Sequence, residues 1–179
     1  MNNSTTSGIV TRFAIITVIM MMATVKSYAQ KERVQAAFIY QLTQLIEWCP
    51  DGQNGNFVIG VLGDAPELFR ELSTLNNRRV GSQPIEVVPV DGVADIAQPN
   101  ILFVASSQFG NIDQIETQVS GFCTLIISDQ SGSASRGAGI TTEYDERDGR
   151  LRLDISRRYM RDKSLNVSNR LYNLATNIY

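Results

Sequence analysis

Histidine is absent from all 179 residues of this chain. That excludes Ser-His-Asp and Cys-His nucleophile activation, histidine-ligated zinc and histidine proton shuttles. Cysteine occurs twice, as Cys49 and Cys123, too few to build a structural zinc site alone. Carboxylate or lysine catalysis survives this composition, but no constellation of residues points to it, so no catalytic residue, cofactor or metal is assigned. Neither sign of charge dominates, with 16 basic and 18 acidic side chains. Nothing therefore draws the chain strongly to phosphate backbones, and nucleic acid is not an expected partner. The most apolar stretch, Phe13 to Val25, has only thirteen residues, whereas a bilayer span needs about 20.

That short stretch is informative in another way. Arg12 precedes it, and Ser27-Tyr28-Ala29 places small residues at the two positions a signal peptidase reads. A basic start, a short apolar middle and a small-x-small exit describe a secretory signal peptide over residues 1–29. Cleavage after Ala29 sends residues 30–179 out of the cytosol. Arg12 and Lys26 leave with the signal segment, so the mature chain carries 14 basic and 18 acidic groups, a net charge of −4. Its 150 residues make one ordinary domain, able to bury roughly 70% of its unfolded surface without staples.

Val34, Phe38, Leu42, Leu45 and Ile46 recur at helical spacing, predicting an amphipathic helix from Lys31 to Trp48 with Gln35 off its apolar face. Cys49-Pro50-Asp51-Gly52 ends it. Phe57–Leu62 is a nearly continuous apolar run and Ile101–Ala105 is all apolar; Ile85–Val90 and Thr124–Ser128 are the other two expected strands. Helices are expected over Ala65–Leu75 and Asn111–Ser120, the first with Asp64 as N-cap and Glu67 closing a capping box. Continuous apolar strands alternating with helices mean a parallel sheet covered on both faces. Residues 130–139, rich in Ser, Gly and Ala, read as a mobile loop. Ile140–Tyr144 and Leu151–Ile155 alternate around Asp148-Gly149 and read as a hairpin. Arg157–Tyr179 reads as helix with a break near Lys163-Ser164. The expected fold is α/β: a Rossmann-like open sheet, mainly parallel, with helices on both faces and an antiparallel hairpin at one edge.

In such a sheet, ligands sit at the carboxyl ends of the strands. There the sequence places Asp64, Ser106, Ser107 and Asp129, with Arg136 in the following loop; these are the candidate ligand-binding residues. Caps and turns account for the same residues equally well. Gly60-Val61-Leu62-Gly63 lacks the glycine triplet of a dinucleotide site, and Gly132–Gly137 lacks the lysine of a phosphate loop. Asp145, Glu146 and Asp148 miss calcium-loop spacing. Arg157, Arg158, Arg161, Lys163 and Arg170 make the C-terminal region basic, either a solvated face or a surface for an acidic receptor.

The segments VQAAFIYQLTQLIEW, FVIGVLGD, RRVGSQPIEV, ILFVASS, TLIISD, GITTEYDERDGRLRLDIS and LNVSNRLYNLA stand in this order. In that set the chain resembles the YfiR family of exported bacterial proteins. The resemblance implies a non-enzymatic periplasmic regulator that tends to homodimerise. Its partner would be the extracytoplasmic domain of a membrane signalling protein, a diguanylate cyclase or a sensor kinase, held inactive by binding. An outer-membrane lipoprotein would relieve the inhibition. The alternative is a small-molecule binding module using the strand-end pocket.

Cys49 and Cys123 remain a candidate disulfide with arguments on both sides. Export favours pairing, and both lie at the amino ends of the sheet. In the common doubly wound order, however, a strand separates theirs, putting the axes about 10 Å apart. A bridge then needs the helix end to lean over.

Overall fold

The structure, a computed structural model, describes residues 30–179; the expected signal peptide, residues 1–29, lies outside the described residues. Helix α1 runs through residues 30–45 and buries Ala36, Phe38, Ile39 and Leu42. It stops short of Trp48 because Ile46–Glu47 leave the helix as strand β1. A 3-10 turn, Pro50–Gln53, follows. Then come β2 (Phe57–Leu62), α2 (Pro66–Ser73) extended by a 3-10 turn at Thr74–Asn77, β3 (Arg79–Val80), β4 (Gln83–Val90) and β5 (Ile101–Val104). A 3-10 segment, Ser106–Asn111, leads into α3 (Ile112–Gln118), followed by β6 (Leu125–Ser128). The hairpin is β7 (Ile140–Asp145) and β8 (Arg150–Ile155). The chain continues as α4 (Arg157–Asp162), β9 (Asn166–Val167), α5 (Asn169–Tyr172) and β10 (Asn177–Ile178).

The main sheet has the order β10-β8-β7-β6-β5-β2-β4-β3. Strands β4, β2, β5, β6 and β7 run parallel. β7 and β8 pair antiparallel over six residues, from Ile140↔Ile155 to Asp145↔Arg150. This is an α/β fold. Every residue of β5 and β6 is buried, as continuous apolar runs require of strands covered on both faces. From β2 the chain moves outward to β4, and from β5 it moves the opposite way to β6. Right-handed crossovers therefore put α2 and α3 on opposite faces.

Four expectations change. The capping box does not form: Ala65 is the N-cap without a side-chain bond, Asp64 is exposed, and Glu67 pairs with Arg70 at 2.6 Å. Pro66 stands in the first turn, where its missing N–H costs nothing. Gln35 is buried rather than off the face, and its amide donates to Thr142 Oγ1 at 2.7 Å. Residues 130–139 are anchored. Thr141 Oγ1 bonds Ser133 Oγ and accepts from Ala134 N, both at 2.8 Å. A side chain on Gly139 would stand 2.6 Å from Leu125 and 2.8 Å from Tyr159, so the small residues serve close packing. The C-terminal segment is broken into two short helices and two short strands. β9 pairs with β1, Ile46↔Val167, a tertiary contact that overrides helical spacing at both ends.

One sheet edge is closed by its own connections. On the outer side of β4, Ile85 N donates to Arg78 O at 3.0 Å and Val87 N to Asn76 Oδ1 at 2.8 Å, while Pro89 has no donor.

Tyr159 ties α4 to the sheet. Its hydroxyl donates to Thr124 O at 2.8 Å and accepts from Ile126 N at 3.3 Å, and burial raises its pKa. Tyr159→Phe leaves both backbone groups buried without that partner. The expected loss is about 1–2 kcal/mol, read as a lower urea midpoint at unchanged slope; an unchanged midpoint contradicts it.

Candidate functional site

Three strand carboxyl ends meet the first turns of α1. Gly63, at φ 95, turns the chain out of β2, and a side chain there would stand 2.6 Å from Gln108. Asp129, just after β6, accepts from Ser106 N at 2.8 Å through one oxygen and pairs with Lys31 Nζ at 3.4 Å through the other. A cavity of about 150 Å³ opens here, lined in part by Lys31, Glu32, Gln35, Asp64, Phe103 and Asp129. One oxygen of Glu32 is buried there without a hydrogen-bond partner among the described residues. Of the five candidates, Asp64 and Asp129 share this cavity, and Ser106 contributes its backbone N–H. Ser107 is exposed, its hydroxyl beside Gly63. Arg136 is not brought here. It stacks over Phe109 at 4.8 Å and donates to Ser131 O at 2.9 Å, lining a separate cavity with Glu116, Arg158 and Lys163. Lys31, Glu32 and Gln35 escape sequence reading because helical spacing marks them as surface.

Asp129 and Asp64 thus differ in role. Asp129→Ala strands a backbone N–H and a lysine, with an expected loss of about 1–2 kcal/mol. Asp64→Ala is expected to stay within about 0.5 kcal/mol. Equal midpoints for the two variants in denaturant titration overturn this assignment.

The amino ends of the strands are built differently. β5 does lie between β2 and β6, yet Cys49 and Cys123 are bonded, with Cα atoms 6.1 Å apart. Cys49 reaches across because the turn after it is pulled over the sheet. Asn100, at the start of β5, donates to Gly52 O at 2.7 Å and accepts from Val58 N at 2.9 Å. The buried Gln83 amide spans Gly52 O, Asn54 O and Gly55 O at 3.3–3.4 Å. Trp48 packs edge-on to Phe57, ring centroids 4.9 Å apart. A cavity of about 530 Å³ opens beside the bridge, lined by the 51–56 turn, residues 97–100 and residues 122–124. The candidate ligand-binding residues Asp64, Ser106, Ser107 and Asp129 lie at the opposite end of the sheet.

The described residues contain no cluster of three or more side chains able to hold a metal. At the hairpin tip, Arg147 and Arg152 take up the carboxylates: Arg147 pairs with Asp145 at 3.1 Å, and Arg152 with Asp148 at 2.8 Å. The Arg147 hydrogen bonds hold the pKa of Asp145 down to about 2. The C-terminal elements leave large side chains in water. Leu174, Ile178 and Tyr179 are exposed, and Arg157 stacks on Tyr172 at 4.6 Å. Arg158 and Arg161 stand out to solvent, sharing the single carboxylate of Asp162.

The bridge closes a separation of 74 residues. In the denatured, unreduced chain, thiol titration should find no reactive thiol, and two after reduction. Reduction should cost roughly 4 kcal/mol at most in the chain-entropy account. Two thiols before reduction contradict the pairing.

The fold is shared with distant solved structures. One is a conserved domain protein from Vibrio cholerae, with a TM-score of 0.57 at 10% identity. Another is the ABC domain in complex with L-Trp from Streptococcus pneumoniae, with a TM-score of 0.55 at 10% identity. Each match covers 83% of this chain and 60% of the other, so the chain spans about three fifths of the length of either. No curated protein matches the sequence. Residues 32–176 match the YfiR/HmsC-like family, so nearly every described element lies within the match. The chain belongs to the YfiR/HmsC-like family.

Proposed function

We propose that the protein, exported and trimmed after Ala29, binds the extracytoplasmic domain of a membrane diguanylate cyclase and holds it inactive. Family membership supports this reading, and the exposed arginines of α4, Arg158 and Arg161, carry it. Arginines that stand out to solvent favour an acidic partner and speed its approach. Inhibition follows if the protein binds the inactive receptor conformation more tightly than the active one, because equal affinity shifts nothing. A lipoprotein partner would relieve inhibition by competing for the regulator. The regulator acts as a homodimer, doubling the attachment to a dimeric receptor.

Deletion of the protein should raise cellular cyclic di-GMP, and the wild type should capture a membrane cyclase from solubilised membranes. Arg158→Glu with Arg161→Glu should weaken that capture by at least about tenfold. These exposed positions should leave the melting temperature unchanged. Unaltered cyclic di-GMP on deletion, or capture indifferent to the arginines, counts against the reading.

A further inference from the structure

The cavity at the amino ends of the strands, about 530 Å³, exceeds the one at the carboxyl ends, about 150 Å³. Its volume falls within the range of small-ligand sites, roughly 300–1,000 Å³. Among its lining residues, Asn54, Asn56 and Gln98 bring amides, Asp51 and Glu86 bring carboxylates, and Phe122 brings an aromatic ring, beside smaller apolar side chains. No lysine or arginine lines it.

That composition selects a chemistry. Two carboxylates without a cation repel anions. An apolar ligand would strip water from the amides and leave them unpaired, at a cost. A hydroxyl group both donates and accepts, as an amide does, and donates to a carboxylate. Phe122 is half-buried and stands outside the packed core, so its ring offers a flat apolar surface to a ligand. Glu86 already accepts from Asn56 Nδ2 at 2.8 Å, which spends part of its negative field and disfavours a ligand recognised only by positive charge. We propose that this cavity is a saccharide site, taking a neutral sugar of one or two rings.

The walls are fixed in advance, as tight binding of a hydroxylated ligand requires. The Cys49–Cys123 bond and the amides of Gln83 and Asn100 hold the 51–56 turn. On the opposite wall, Thr124 Oγ1 donates to Pro99 O at 2.6 Å within the protein. That anchors Gln98, which sits at φ 49, a conformation a non-glycine residue adopts only when its surroundings impose it. The cavity beside Arg136 is a weaker candidate, because two of its cations are committed: Arg136 to loop carbonyls and Lys163 to Val119 O.

The test presents the oxidised, exported chain to an array of neutral mono- and disaccharides and their uronic-acid counterparts, with binders followed by calorimetry. At least one neutral sugar should bind, and its acidic counterpart at least about tenfold more weakly. Phe122→Ala and Asp51→Ala should each weaken the neutral sugar by about tenfold or more, with melting temperatures within about 2 °C of wild type. Asp129→Ala, at the other end of the sheet, should bind the sugar as wild type does. Cyclase capture by Phe122→Ala should be unaffected, so that this site and the partner surface fail or succeed separately. The proposal is overturned if no neutral sugar binds, if the acidic counterpart binds equally well, or if neither Phe122→Ala nor Asp51→Ala matters.

Discussion

Strands β5 and β6 are buried along their whole length, with no residue left to water. Their backbone groups must find partners in the sheet or in side chains packed on it, as Ile126 N does in Tyr159, and their side chains are apolar on both faces apart from Ser128 at the end of β6. Chemistry is thereby expelled from the middle of the molecule. Polar groups collect where the strands end, at the two rims, and where the sheet stops pairing, at its sides. The carboxylate cavity and the amide-rich cavity both occupy such positions. The covered sheet thus supplies a rigid plate whose margins are available for recognition.

The two rims have been used unequally. At the carboxyl ends, where open α/β sheets commonly hold ligands, α1 closes over the strands. Lys31 and the N–H of Ser106 satisfy Asp129, leaving a small cavity. At the amino ends, the chain between α1 and β2 arches across the rim and is stapled at Cys123. An arch leaves space beneath and beside it that a packed helix does not. The difference between a helix laid on a rim and a turn stretched over one accounts for the difference in volume.

The sheet was legible in the sequence because its determinants are local. Phe57–Leu62, Ile101–Val104 and Leu125–Ser128 are apolar at every position but Gly60 and Ser128, and the turn at Asp148-Gly149 announces its hairpin. What was illegible depends on residues far apart in the chain. Ile46 continues the helical spacing of Leu42, yet it pairs with Val167 because the C-terminal segment returns to it. Gln35 looks like a surface residue until Thr142 comes within hydrogen-bond reach. The capping role assigned to Asp64 was lost to a turn in which Ala65 N bonds Gly63 O at 3.0 Å. The candidate site was half visible: Asp64 and Asp129 do converge, but no spacing rule could show that Arg136 would bend back on its own loop.

The outer side of β4 bears on how the protein survives as a solute. Parallel sheets fold slowly, and an open strand edge is a template on which another chain can add. Here the template has been disarmed donor by donor: the amides of residues 85 and 87 are already occupied, and position 89 never had one. An incoming strand would find carbonyls but no hydrogens along this stretch, and a ladder cannot grow on acceptors alone. Strand addition along this stretch is therefore opposed by the backbone chemistry of the edge itself, independent of net charge.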